Sequence, residues 1–192
     1  MTLASYLPIT FPIVWGTWGL FWLLAAGWSA PSVERQRPRG RLLHVASLLV
    51  GGALFFATSP RLPFLHHSIF RIGIGTAIAG LALTVLGLGF SIWARITLGR
   101  MWSAKVTLKA GHMIVEDGPY AFARHPIYTG ILTALAGSAL ARDTVAAYLG
   151  LAIILIGLVL KLRQEEHLLL GHFGPSYEEY RGRVKGLIPL LW

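Results

Sequence analysis

Charged residues divide this chain into apolar intervals. No Asp, Glu, Lys or Arg occurs in residues 1–33, 42–60, 72–94, 125–141 or 144–160, stretches of 33, 19, 23, 17 and 17 residues. A helix that crosses a bilayer needs about 20 predominantly apolar residues. The pattern predicts five membrane-spanning helices, at about Pro8–Trp28, Leu42–Ser59, Ile69–Ala94, Ile127–Ala141 and Val145–Leu160. The third is rich in small residues (Gly73, Gly75, Ala77, Ala79, Gly80, Gly87), which let helix backbones approach closely in lipid. Only Arg142, Asp143 and Thr144 separate the fourth and fifth, so these two form an antiparallel hairpin. Its arms are short, about 25 Å against a hydrocarbon core of about 30 Å.

The hairpin brings two polar segments together at its open end. One is the loop Arg95–Arg124, which leads into the fourth helix. The other starts at Lys161 and continues the fifth helix out of the membrane. Beyond it, Ser176 and Glu179 have capping-box spacing and predict a tail helix. Glu178, Glu179, Arg181 and Arg183 are read as its solvated or headgroup-facing side. The expected fold is an all-α integral membrane protein: five transmembrane helices, a C-terminal helical hairpin and a cytoplasmic amphipathic tail helix. It forms one membrane domain over 1–192, with an N-terminal three-helix part (1–97) and a C-terminal part (98–192).

Composition supports this reading. Apolar residues make up 55% and charged residues 13%, against about 25% charged in ordinary soluble domains. A soluble enzyme is excluded. Zero cysteines remove disulfides, thiolate nucleophiles and cysteine-ligated metals; no metal site is expected. The formal charge of +9 reads as topology rather than as a nucleic-acid surface. Arg35, Arg37, Arg39, Arg41, Arg95, Arg100, Lys105, Lys109, Arg124, Lys161, Arg163, Arg181, Arg183 and Lys185 fall on one side of a five-span layout. Only Arg61, Arg71 and Arg142 fall on the other. Basic loops stay cytoplasmic, so the N-terminus is expected outside and the C-terminus and active site inside. No Lys or Arg precedes the first span, so it is read as an uncleaved helix. Trp15, Trp18, Trp22, Trp28, Trp93 and Trp102 are read as interfacial belt residues.

Candidate chemistry lies at the open end of the hairpin. Asp117-Gly118-Pro119 is a turn signal, and Pro126 suits the first turn of the fourth helix. That places His125 just before the helix, with Arg124 and Tyr128 at the same mouth. Lys161 and Glu165 are four apart and able to pair on one helix face. Glu165 and Glu166 point about 100° apart, so one of them is expected to face a shared pocket. Patterns for zincins, P-loops and nucleophile elbows are missing.

Gly118-Pro119-Tyr120, Arg124-His125-Pro126-x-Tyr128-x-Gly130, Glu165-Glu166, Phe173-Gly174-x-x-Tyr177-x-x-Tyr180 and Ile188-Pro189 together resemble the isoprenylcysteine carboxyl methyltransferase family and its phospholipid methyltransferase relatives. The resemblance covers about Leu98–Trp192. It implies S-adenosyl-L-methionine as cofactor, held by His112, Met113, Ile114, Val115, Tyr120, Arg124, His125, Pro126, Ile127, Tyr128 and Glu165, with Glu166 the alternative carboxylate. Lys161 stands where the family's substrate-contacting Arg is expected, and Arg163 is placed to share its work. Lys and Arg are not interchangeable at a carboxylate, and Met101 stands where many bacterial relatives have Asn, so the acceptor is less defined than the cofactor.

The implied activity is methyl transfer to an amphiphilic or lipid-like acceptor, such as a C-terminal S-isoprenylcysteine carboxylate. The expected partners are membrane lipids and that acceptor, with no nucleic acid and no obligate protein partner. No catalytic residue is assigned. Three rivals remain: a phospholipid or amine N-methyltransferase, a nicotinamide-dependent enzyme resembling membrane sterol reductases, and a non-catalytic membrane subunit or transporter. The last lacks polar groups at the bilayer midplane, which would mark a transport path.

Overall fold

The computed structural model describes residues 7–28, 32–35, 38–56, 62–102, 107–109 and 113–187. Among the described residues six α-helices follow in chain order: α1 Leu7–Ala25, α2 Pro38–Phe55, α3 Ile74–Leu98, α4 Pro126–Arg142, α5 Val145–Phe173 and α6 Pro175–Arg183. Two short strands, β1 Ser32–Arg35 and β2 Thr107–Lys109, pair antiparallel, with Ser32 opposite Lys109 and Arg35 opposite Thr107. This ribbon ties the α1–α2 connection to the α3–α4 connection. The architecture is otherwise helical, as the intervals between charges predict.

Each predicted interval yields a helix, with shifted ends. The third starts at Ile74 rather than Ile69, because Arg71 has a positive φ and Gly73 forms the N-cap. The fifth runs past Leu160 to Phe173. At 29 residues it is about 43 Å long, more than a hydrocarbon core of about 30 Å requires. Two helical stretches, Ile74–Met101 and Val145–Phe173, are long and apolar enough to cross a membrane; α1 and α2 contribute shorter apolar stretches, Ile9–Ala25 and Leu42–Phe55. Leu23, Leu24, Leu42 and Leu86 are each at least 70% exposed. An apolar exterior of this kind is suited to lipid rather than water.

Small residues set the helix pairs. α3 lies against α4 and α2 against α5. A Cβ on Gly80 would stand 2.5 Å from the Gly137 carbonyl oxygen, and one on Gly87 2.5 Å from that of Gly130. Gly80 and Gly87, like Gly130 and Gly137, are seven residues apart, two helical turns. The two backbones therefore touch at two successive levels, as small residues permit in lipid. Gly51 and Gly150 make the same kind of contact between α2 and α5. Thr84, fully buried in the α3–α4 seam, donates its hydroxyl to the Gly80 carbonyl at 2.9 Å and lies 3.0 Å from Ser138 Oγ. This satisfies the polar atoms the seam encloses.

The belt reading of the tryptophans is corrected for α1. Trp15 Nε1 donates to Ser138 Oγ at 3.0 Å and Trp18 Nε1 to Ser91 Oγ at 2.8 Å. Trp15, Trp18, Trp22 and Trp102 follow one another in ring contact at 5.6, 5.5 and 5.0 Å. They form an inward-facing ladder, because serines in α3 and α4 offer indole partners that lipid lacks. Trp28 and Trp93 stay nearly half exposed, as belt residues would.

Arg95, read from the sequence as a loop charge, is fully buried. Its guanidinium donates to the carbonyls of Gly99 (2.7 Å), Ala25 (2.7 Å) and Trp28 (2.9 Å) and lies 4.7 Å from the Trp102 ring centroid. It fastens the end of α1 to the end of α3.

The α4–α5 turn is closed by Asp143, at φ 47°, a conformation that short polar side chains tolerate best among non-glycine residues. The Ser68 hydroxyl and the Phe70 N–H donate to its carboxylate. The expected capping box of the tail helix does not form. Pro175 fits the first helical position without an N–H, so the cap falls on Gly174 (φ 54°) and Ser176 lies inside α6.

Candidate active site

The site lies where the start of α4 meets the distal half of α5. The segment after α6 holds the approach to α4 in place: the Arg124 N–H donates to the Lys185 carbonyl at 2.8 Å and the His125 N–H to that of Gly186 at 3.0 Å. Thr129 Oγ1 donates to the Leu187 carbonyl at 2.6 Å. Pro126 opens α4 with His125 as N-cap, so the imidazole projects from the helix end toward α5.

His125 is 7% exposed and stands between two carboxylates. Its Nε2 is 2.9 Å from Glu166 Oε1 and its Nδ1 is 3.5 Å from Glu165 Oε2. The expectation that only one of the adjacent glutamates faces the site does not hold. Their 100° separation on α5 is spanned by the histidine, which presents one ring edge to each. Its ring also stacks parallel on that of Tyr128, with centroids 5.6 Å apart. Burial disfavours the imidazolium, but the two carboxylates outweigh it and hold the His125 pKa above its usual value.

The two carboxylates have different surroundings. Glu166 receives Arg124 Nε at 2.8 Å and Nη2 at 3.0 Å, the Tyr177 hydroxyl at 2.9 Å and Arg181 Nε at 3.1 Å, in addition to His125. Despite desolvation, its bonds from His125 and Arg124 bring its pKa down to about 2. Arg124 also donates to the Val184 carbonyl, so its guanidinium is committed to protein groups. Glu165 has fewer donors. The Tyr128 hydroxyl reaches both its oxygens at 2.7 and 2.8 Å, and Lys161 Nζ is 3.8 Å away. A carboxylate has about four acceptor positions, so Glu165, with 20% of its side chain exposed, retains capacity. Burial raises the Glu165 pKa, but Lys161, His125 and Tyr128 lower it further.

The remaining candidates are distributed around this centre. Tyr120 is buried and its carbonyl accepts the Tyr180 hydroxyl at 2.7 Å. Ile127 packs with Tyr120 and Ala94, and Val115 and Tyr128 lie against the same cluster. Ile114 lies against Tyr177, Tyr180 and Val184, and Met113 is 65% exposed. Lys161 is buried, with Nζ 5.2 Å from the Tyr128 ring centroid. Arg163 is exposed on another side of α5 and is not brought together with Lys161. It lines an open cleft of about 700 Å³ with Leu162, Glu166, His167, Leu170, Glu178, Arg181 and Lys185. His112, Lys105, Ile188 and Pro189 lie outside the described residues.

Sequence reasoning missed two of the centre's donors. Tyr177 and Arg181 were read as a motif element and a solvated charge, yet both bind Glu166. They are four apart on α6, so one helix face carries both. That spacing was the available signal.

Closely joined apolar helices with a polar centre at one end define an integral membrane protein. Its resemblance to the isoprenylcysteine carboxyl methyltransferase (ICMT) family holds over the region that carries most of the motifs: the family model matches residues 80–171. The chain is 33% identical over 150 residues to the protein-S-isoprenylcysteine O-methyltransferase of Schizosaccharomyces pombe, covering 75% of this chain and 62% of that protein. It is 30% identical over 115 residues to protein-S-isoprenylcysteine O-methyltransferase B of Arabidopsis thaliana, covering 58% of each. Both relatives are methyltransferases by name, and the chain spans about three fifths of their length. The fold is also that of the eukaryotic intramembrane Ras methyltransferase ICMT solved without a monobody, with TM-score 0.52 and 24% identity, over 83% of this chain and 55% of that one.

Proposed function

We propose that this protein is an integral-membrane methyltransferase that uses S-adenosyl-L-methionine and methylates the carboxylate of an S-isoprenylcysteine-like amphiphile. The observation that carries this reading is Glu165. It is an ionised carboxylate with free acceptor capacity at the mouth of an apolar bundle, at the position the family resemblance gives to the cofactor-binding acid. The donor set fits the cofactor: Glu165 suits an α-ammonium group, and Ile114 and Val115 supply apolar wall. When bound, the cofactor supplies an activated methyl group. Glu165 holds the amino acid moiety, while Glu166, already saturated, holds Arg124, His125 and α6 around it.

The acceptor class follows from His125. Both of its nitrogens face carboxylates, which hold its pKa above the usual value and favour the imidazolium, a form unsuited to deprotonating an amine or thiol. A carboxylate acceptor needs no base. Lys161, on the Glu165 side, orients that carboxylate by charge. The residues thus supply binding and orientation, the main contribution a protein can add to a preactivated donor.

Five spans are proposed, with the N-terminus outside and the Glu165 centre cytoplasmic. The β1–β2 ribbon supports this by placing two of the basic connections at one end. With no native cysteine, single-cysteine variants test it directly: a membrane-impermeant maleimide labels His67→Cys but not Gly182→Cys in intact cells, and the reverse pattern inverts the topology.

Calorimetry with S-adenosylhomocysteine on the detergent-purified protein tests the cofactor. Saturable binding that Glu165→Ala weakens supports the assignment, and no binding at millimolar ligand overturns it. Labelled methyl transfer to a small S-prenylcysteine, with an aminophospholipid and a thiol as competitors, tests the acceptor.

A further inference from the structure

His125 separates two faces of the centre. One carries Glu165, Tyr128 and Lys161. The other opens into the cleft between α5 and α6. Lining residues shared with the centre, Arg124 and Arg181, are both paired there with Glu166. Arg163 and Lys185 are different. Among the described residues neither side chain forms an ion pair, and both are exposed. Glu178 is the one other carboxylate among the residues lining the cleft. Two unpaired cations against one carboxylate leave the cleft positive, quite apart from the paired set around Glu166.

Its position adds a second constraint. Leu162 and Arg163 directly follow Lys161, the first charge after the apolar run 144–160 of α5. If α5 spans the bilayer, the cleft stands at headgroup depth. Arg163 and His167 are four apart, and Leu170 three further, so they share one side of α5. That side offers the cationic Arg163 near the membrane and apolar surface at both Leu162 and Leu170. Gly182 and Gly186 add no side-chain bulk to the opposite wall, between Arg181 and Lys185. Anionic headgroups at the cytoplasmic leaflet are attracted by basic groups held at this depth.

We propose that the cleft between α5 and α6 binds a phosphate-bearing anion, held in place as the headgroup of an anionic phospholipid contacted by Arg163 and Lys185. This needs the spanning α5 of the proposed function but not its methyl-transfer chemistry. A bound headgroup would bridge α5 to the segment after α6, the same segment whose carbonyls hold Arg124 and His125. The lipid would therefore brace the centre from its outer face.

Native mass spectrometry of the full chain released from micelles doped with phosphatidylglycerol or phosphatidylcholine tests this. The expected result is retention of one phosphatidylglycerol in preference to phosphatidylcholine. Arg163→Gln with Lys185→Gln weakens retention roughly tenfold or more, while Arg183→Gln, a cation already paired with Glu116, leaves it unchanged. Equal retention of the two lipids, or of phosphatidylglycerol by wild type and double variant, overturns the proposal. Displacement by glycerol 3-phosphate at the affinity of the lipid overturns the lipid assignment in favour of a soluble phosphate. S-Adenosylhomocysteine affinity is measured on the same proteins. Its loss in the double variant assigns the cleft to the cofactor and overturns the proposal. No S-adenosylhomocysteine binding in the wild type, with selective lipid retention intact, overturns the methyltransferase reading alone.

Discussion

Glu165 and Glu166 are neighbours on one helix and reach opposite edges of one histidine, yet they bear different loads. Glu166 takes five donor contacts from four residues on two parts of the chain, the approach to α4 and α6. Glu165 takes one hydroxyl and two longer approaches from Lys161 and His125. The difference comes from what each side of α5 faces. On the Glu166 side, α6 and the residues after it crowd in with Arg and Tyr. On the Glu165 side stand the ring of Tyr128 and a lysine stem. Saturation makes Glu166 a structural joint, and incomplete saturation leaves Glu165 able to bind. On the proposed function, two identical residues thereby divide holding and cofactor binding between them.

The largest expected effect breaks the joint. Glu166→Ala strands the nearly buried Arg124 without its counter-charge, takes from His125 the nearer of its two carboxylates and removes the partner of the more exposed Arg181. Removing one partner of a buried ion pair costs about 3–5 kcal/mol. Thermal unfolding of purified protein in detergent should show a large fall in midpoint, with binding lost as a consequence. A midpoint near that of wild type would mean that the contacts do not hold α4, α5 and α6 together.

Glu165→Gln comes next and should act in the opposite way. The amide keeps the volume and accepts from Tyr128 but loses its charge, and hydrogen bonds to charged groups contribute about 1.5–3 kcal/mol. S-Adenosylhomocysteine affinity is expected to fall by about tenfold to a hundredfold, while the unfolding midpoint moves little. If instead Glu165→Gln unfolds the protein and Glu166→Ala spares it, the roles are exchanged.

The helices of this molecule were legible in its sequence because charge is excluded from lipid. Five uncharged intervals gave five helices, and Pro126 and the Arg142–Thr144 link fixed the hairpin's ends. What the sequence hid was direction around each helix. Trp15 and Trp18 read as belt residues because their serine partners on α4 and α3 are 123 and 73 residues away. Arg95 read as a loop charge for the same reason: carbonyls at a helix end leave no mark in a sequence. Arg124, His125, Tyr128, Glu165 and Glu166 stand out by motif, but the grip of Tyr177 and Arg181 on Glu166 and the bridging role of His125 do not. It depends on a long-range contact between the N-cap of α4 and a helix face forty residues later.

A smaller effect sharpens the comparison on the acceptor side. Lys161→Met removes the charge facing Glu165 while keeping much of the apolar stem. The pair is partly screened, so about 1 kcal/mol is at stake. KM for a carboxylate acceptor should rise about fivefold, with S-adenosylhomocysteine affinity changing less. Lys161→Arg should retain acceptor binding, because the charge is kept. Equal loss with both substitutions would show that the lysine acts through packing rather than charge.

The smallest effect is the pH dependence of the joint itself, and its sign follows from the two kinds of group. His125 has a raised pKa in the folded protein. Its stabilising contribution is complete below its unfolded value of about 6.5 and is lost as pH rises through the folded value. Glu165 and Glu166 have lowered pKa values. Their contribution is complete above their unfolded values of about 4.3, and for Glu166 it disappears as pH falls toward about 2. The stability difference between wild type and His125→Gln should therefore be widest at about pH 5–6.5 and narrow on both sides. On the alkaline side the histidine loses its proton, and on the acid side the carboxylates gain theirs. A neutral imidazole offers a single N–H and must release one carboxylate; the more weakly held contact is the 3.5 Å approach to Glu165. Raising the pH should then loosen the Glu165 side first, so cofactor affinity should decline before the unfolding midpoint does. Unfolding midpoints and S-adenosylhomocysteine titrations across pH 4–9 would separate the two declines. A difference between wild type and variant that is flat with pH would show that His125 holds the joint as a neutral ring.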